Sequence, residues 1–307
     1  MRIAVIGAGG VGGYFGAKLA RVGNEVAFVA RGAHLAAMRA TGLTVESGGG
    51  AIVLRNVAAT DDPASLAPVD VVMFCVKLWD VERAAAQIAP LVSRGGVVVP
   101  FQNGIDSVPI LQRQLGAASV LGGAAYIAAS IRVPGIVAHV GSMARLRIGA
   151  FDDALRPKAQ AFVDACRSAG IDVELAADIR RAIWEKFVFL SAFSGATCLA
   201  RQPIGPIRSD SDLRATLASA MREATSVARS QGVDFPDDFV DRQMRAADGL
   251  PAEMRSSMLN DLAAGHRLEA PWLCGRVAQL AAQAGIAAPV NATMYAALKP
   301  YVDGAPH

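Results

Sequence analysis

The segment Ile3-Ala4-Val5-Ile6-Gly7-Ala8-Gly9-Gly10-Val11-Gly12 constrains this chain more than any other. A short apolar run ends in glycines spaced G-x-G-x-x-G at Gly7, Gly9 and Gly12, and an amphipathic stretch, Gly10–Val22, follows. A second β-rich run opens at Glu25. Gly7 permits a tight turn, Gly9 lets a ligand approach the backbone, and Gly12 lets helix and strand pack closely. The helix start, with Gly10 in the same cradle, offers unpaired N–H groups and a partial positive charge suited to a diphosphate. The spacing alone also fits a plain strand-to-helix turn; the strand–glycine–helix–strand order points to a dinucleotide-binding unit.

The organisation downstream agrees. Arg2–Ile6, Glu25–Ala30, Val69–Val76, Val97–Phe101 and Ser119–Gly123 read as strands among Ala-rich helical stretches. Continuous Val/Ile strands interleaved with helices predict a parallel sheet covered on both faces. Ala125–Arg132, Ile136–Val140 and Arg145–Ile148 read as further strands added at the sheet edge. After Ile171–Leu175 the β signal fades. Ile179–Leu199, Asp212–Gln231, Ala252–Ala264 and Trp272–Ala284 read as helices, parted by the joints 202–206, 249–251 and Gly285. The expected fold is α/β: a Rossmann-type doubly wound sheet over 1–175, then an all-α domain over 176–307.

Composition removes several classes of function. With 307 residues, 53% of them hydrophobic, the chain has material for two cored domains. The net charge of +3 is too small to suggest a nucleic-acid or membrane surface. The uncharged stretch Phe187–Ala200 is 14 residues, short of the roughly 20 a membrane span needs. Cys75, Cys166, Cys198 and Cys274 have no CxxC spacing, and His34, His139, His266 and His307 have no partners at metal-ligand spacing. A reduced, cytoplasmic protein without metal is the expectation.

The second strand bears on which dinucleotide binds. NAD and FAD sites usually carry Asp or Glu at the end of that strand, for the ribose hydroxyls. Here Val26-Ala27-Phe28-Val29-Ala30 ends in Arg31-Gly32, and Glu25 stands at the wrong end. A 2′-phosphate would find Arg31 favourable, so NADP is the expected cofactor and a flavin is disfavoured. Charge-assisted bonds of about 1.5–3 kcal/mol each would favour NADPH over NADH at least roughly tenfold. Lys77 and Asn103-Gly104 fall at later strand ends, where ligands of parallel sheets collect. Lys77 also fits a solvated charge, and Asn103 plain turn chemistry.

Ile183-Trp184-Glu185-Lys186-Phe187-Val188-Phe189-Leu190 sets one ammonium in an otherwise apolar run. A Lys shielded from water has a lowered pKa and can protonate a carbonyl oxygen as hydride reaches the carbon. The bland reading is a snorkelling side chain. Downstream, Ser256-Ser257-Met258 fits a helix N-cap, and Glu269, before Pro271, fits the first turn of a helix.

These residues, in this order, resemble the ketopantoate reductases (2-dehydropantoate 2-reductases) almost end to end. The resemblance rests on Gly7–Gly12, Ala30-Arg31-Gly32, Val76-Lys77, Asn103-Gly104, Trp184-Glu185-Lys186, Ser256-Ser257-Met258 and Glu269. It implies NADPH-dependent reduction of a 2-oxo acid, with the site between a Rossmann domain and a helical domain. By the same resemblance, Arg31 and Lys77 hold the NADPH phosphates, and Asn103 sits by nicotinamide ribose and substrate. Ala128 makes a backbone contact to the cofactor, Lys186 donates the proton, Ser257 binds substrate, and Glu269 lines the cleft.

The departures concern the substrate. Where the family usually has Asn four and eight residues after the Lys, this chain has Leu190 and Ser194; two further family Asn positions align with Ile204 and Cys274. A substrate hydroxyl left unpaired there would cost roughly 1–3 kcal/mol, so the expected substrate is ketopantoate or a related, more apolar 2-oxo acid. The partner is then a small molecule, with neither nucleic acid nor membrane involved and a homodimer left open. An NADP-dependent hydroxy-acid dehydrogenase and a non-catalytic NADPH-binding sensor are the alternatives.

Overall fold

In chain order, β1 (Arg2–Ile6), α1 (Gly10–Arg21) and β2 (Glu25–Val29) lead to α2 (Gly32–Thr41), β3 (Leu43–Ser47), β4 (Gly50–Leu54) and β5 (Ala58–Thr60). Then come β6 (Val71–Phe74), α3 (Val81–Ser93), β7 (Val97–Pro100), α4 (Ser107–Leu115), β8 (Gly122–Val133), β9 (Ile136–Gly149), α5 (Arg156–Ser168) and β10 (Asp172–Leu175). The remaining helices are α6 (Ile179–Ala200), α7 (Ile204–Ser209), α8 (Ser211–Ser230), α9 (Phe239–Asp248), α10 (Ser257–Ala263), α11 (Cys274–Ala284) and α12 (Pro289–Leu298). The computed structural model describes residues 1–305, so Pro306 and His307 lie outside the described residues.

The chain forms two compact units, Met1–Gln102 with Asp106–Ala182, and Asn103–Ile105 with the chain from Ile183 onward. The expected joint near residue 175 compares with a division inside α6, between Ala182 and Ile183. The short segment Asn103–Ile105 belongs to the second unit although both its flanks belong to the first.

In the first unit a five-stranded parallel sheet runs in the order β5-β2-β1-β6-β7. Ile3, Ala4, Val5 and Ile6 are all buried, which explains the unbroken apolar run: both faces of the sheet are covered. The order reverses between β1 and β6, and open α/β sheets bind ligands beyond the strand ends at such a switch point.

A second sheet corrects the expectation of added edge strands. It has the order β10-β9-β3-β4, with β8 also paired to β9, so the later strands form a sheet of their own. The hairpin β3–β4, closed by Gly48-Gly49, was not anticipated. The expected strand Ser119–Gly123 forms in part: Ser119 ends a 3-10 helix, Val120 makes an isolated parallel bridge to Val98, and Gly122 and Gly123 open β8.

The second unit is helical around a core that includes Trp184, Phe187, Val188, Phe193, Leu217 and Met221. The expected helix Ala252–Ala264 shrinks to Ser257–Ala263. The carbonyls of Ala252 and Met254 accept from Gly205 and Ile204 N–H groups at 2.8 and 2.9 Å, which satisfies the start of α7 instead. Helices α7, α9 and α12 add to the expected set, and α7 begins inside the stretch 202–206 expected as a joint. Helix α6, 22 residues long, is apolar enough to cross a membrane by length and composition, and most of that stretch is buried in the protein.

Candidate active site

The glycine turn leaves β1 with Gly7 at φ +93°, a backbone state L side chains rarely adopt. A Cβ on Gly7 would come within 2.9 Å of the Cys75 carbonyl, beside the end of β6. A Cβ on Gly12 would lie 2.3 Å from the Gly7 oxygen and 2.7 Å from Val5. On Gly10 it would fall 2.0 Å from the Ala129 oxygen, because β8 crosses the start of α1. Around Gly9 there is nothing within 4 Å of that position. Three glycines are thus demanded by packing and one keeps an open approach to the first N–H groups of α1, which fits the diphosphate of a dinucleotide.

Ala128 stands beside this cradle in an exposed stretch of β8. The ladder breaks there: Ile127 pairs with Ala144 and Ala129 with His139, so Ala128 lies outside the regular register. An irregularity of this kind disrupts the ladder locally and leaves backbone groups unpaired with the partner strand.

Arg31 follows β2 and begins α2, exposed, with its guanidinium 2.8 Å from Asp80 Oδ2. Arg83 bonds the other oxygen of the same carboxylate at 2.5 Å. Burial works to raise the Asp80 pKa, but the bonds from Arg83 and Arg31 outweigh it and hold the carboxyl below its usual value. This corrects one expectation: an acid does lie next to the tip of β2, delivered by the turn before α3, 49 residues from Arg31. Lys77, also exposed, opens that turn with its ammonium 5.4 Å from the Trp79 ring centre.

The second unit gathers the other candidates. Lys186, half-buried on α6, donates to Asn103 Oδ1 at 3.1 Å. The amide of Asn103 donates onward to Glu269 Oε2 at 3.3 Å. Glu269 is 5% exposed and bonds Asn103 rather than capping the turn that follows it. Burial lowers the Lys186 pKa from 10.5 to about 8, against the Glu269 charge, which raises it. A primary ammonium held near neutrality and aimed by a fixed amide is equipped to act as a general acid.

Leu190 and Ser194 lie four and eight residues beyond Lys186 on α6, one helical face. Leu190 is half-buried, and the Ser194 oxygen is buried without a hydrogen-bond partner. Ile204 and Cys274 are fully buried in the helical core, so they fill space rather than offering an open surface. Of the serine pair, Ser256 is the N-cap: it accepts from Leu259 N–H at 3.0 Å and meets Thr197 at 2.8 Å. Ser257 is exposed at the first position of α10.

Residues 3–153 match the family described as ketopantoate reductase PanE/ApbA, and residues 178–302 its C-terminal part. A 2-dehydropantoate 2-reductase of Halobacterium salinarum is 31% identical, covering 96% of each chain. The chain belongs to the ketopantoate reductase family. A ketopantoate reductase structure from Ralstonia eutropha superposes with a TM-score of 0.89 at 31% identity, covering 98% of both chains. At 20% identity, D-mandelate dehydrogenase with NADH and anilino(oxo)acetate has the same fold, with a TM-score of 0.90. As a ketopantoate reductase family member the protein is a pyridine-nucleotide-dependent oxidoreductase.

Proposed function

We propose that this protein uses NADPH to reduce a 2-oxo acid with an apolar acyl chain to the 2-hydroxy acid, with Lys186 as proton donor. The observation that carries this reading is the Lys186–Asn103–Glu269 chain, which ends on an ammonium with a pKa of about 8. The nicotinamide, when bound, supplies the hydride. Lys186 hydrogen-bonds the keto oxygen and gives it a proton as negative charge develops there. Asn103 aims the ammonium, and Glu269 fixes which way the Asn103 amide faces. Ser257 would meet the substrate carboxylate.

Arg31 and Lys77 would take the phosphates, with Ala128 offering backbone. Arg31→Ala is expected to cut the preference for NADPH over NADH by about tenfold or more, read from kcat/KM with each cofactor. The Asp80 carboxylate beside Arg31 is the feature an NADH preference would rest on. A wild type that favours NADH would therefore reverse the cofactor assignment and leave the Lys186 chemistry in place.

Leu190 argues for the apolar substrate, since it offers no hydrogen bond where Lys186 presents its proton one helical turn away. NADPH oxidation across a panel of 2-oxo acids tests this. Branched or aromatic acids are expected to exceed ketopantoate at least about tenfold in kcat/KM, the worth of one unmade buried hydrogen bond. Leu190→Asn should narrow that gap. Ketopantoate emerging as the best wild-type substrate would overturn the apolar reading.

A further inference from the structure

His34, in the first turn of α2, has both its ring nitrogens engaged. Nε2 lies 2.9 Å from the carbonyl oxygen of Ala8, inside the glycine turn. Nδ1 lies 3.0 Å from the backbone N of Gly135, in the tight turn joining β8 to β9. An N–H can only donate, so Nδ1 must be the acceptor. Nε2 then carries the proton and donates it to Ala8. His34 is 8% exposed, and this burial lowers its pKa, outweighing the Ala8 bond, so the ring stays neutral near pH 7.

The consequence lies at the next peptide. No peptide bond here is cis. In a trans peptide the C=O and N–H point in opposite directions. With the Ala8 carbonyl pinned toward His34, the Gly9 N–H must point away from it. Gly9 is the glycine around which a Cβ would meet nothing within 4 Å. We propose that His34 is a positioning residue for the dinucleotide: by holding the Ala8 carbonyl and bracing against Gly135, it aims the Gly9 N–H at the diphosphate. This inference rests on the reading that the glycine turn holds a diphosphate. It holds for NADPH and NADH alike, since both carry that group.

The test is equilibrium binding to the whole chain, using NADPH and adenosine 2′-monophosphate, with thermal melting alongside. The second probe keeps the adenosine and its phosphate but lacks the diphosphate. His34→Ala is expected to weaken NADPH about tenfold or more and to move adenosine 2′-monophosphate less than about twofold. His34→Gln places an amide N–H near the Nε2 position and should restore most of the NADPH affinity. His34→Asn reaches only the Nδ1 position, can serve only Gly135, and should not restore it. His34→Ala binding NADPH like the wild type would overturn the proposal. So would an equal loss of both probes with a fall in Tm, which would make His34 a general prop of the fold. If the alanine variant does not fold, the Gln and Asn pair decides: equal NADPH affinity in the two overturns the assignment. A wild type that binds neither NADPH nor NADH removes the cradle reading itself, a result distinct from an unaffected variant.

Discussion

Lys186→Met is expected to lose about 10²–10⁴-fold in turnover on the preferred 2-oxo acid while its thermal stability rises. Both effects come from one property. The Lys186 pKa falls from 10.5 to about 8 on folding, chiefly through burial. Between those values the unfolded chain binds the proton more tightly, so stability rises with pH across this window and is lowest below it. At neutral pH the folded protein carries a burden of about 3 kcal/mol from holding a desolvated ammonium. Methionine fills similar space without charge, so the variant should melt a few degrees higher. The same pKa sets the pH profile. Reduction needs the protonated amine, so its rate should fall about tenfold per pH unit above about 8, while oxidation of the hydroxy acid gains there. Glu269 is the charged group coupled to Lys186 and opposes its deprotonation. A methionine variant with near wild-type turnover would remove Lys186 from the chemistry.

Gly9→Ala and Gly10→Ala should fail in opposite ways. A Cβ at Gly9 enters open space, and its backbone, at φ −75°, accepts alanine, so folding should be untouched. The added methyl would stand where a diphosphate must approach, and NADPH binding should weaken about 100-fold or more. At Gly10 the Cβ would come 2.0 Å from the Ala129 oxygen and 2.5 Å from its carbonyl carbon. Both are backbone atoms and cannot swing aside, so β8 must shift at a cost of about 1–3 kcal/mol. Melting curves and NADPH titrations on the two variants check this. A Gly9→Ala protein that binds NADPH normally would end the case for the cradle.

How much could be read from the sequence follows from the range of the interactions. The β1–α1–β2 unit is legible because its signals are local: an unbroken apolar strand, three spaced glycines and one amphipathic helix. The second sheet is not. Its strand β9 pairs with β3 and β10, elements remote in the chain, and β3–β4 announces itself only by the Gly48-Gly49 turn. Lys186, Asn103 and Glu269 could each be picked out singly. Their bonds span 83 and 166 residues, so no spacing rule discloses that one amide joins all three. Asp80 was missed for the same reason. His34 had a visible cue in an imidazole three residues after the Arg31 strand end, but its partners are main-chain atoms, and those leave no mark in a sequence.

The placement of Asn103–Ile105 has a practical consequence. These three residues pack with the helical unit, and Ile105 joins its core, although the chain on either side of them belongs to the sheet unit. A fragment ending at Ala182 would carry them without Lys186 or Glu269, leaving an apolar side chain and a polar amide stripped of company. The polypeptide therefore has no single cleavable tether, and attempts to obtain the sheet unit as a free-standing module should yield a poorly behaved product.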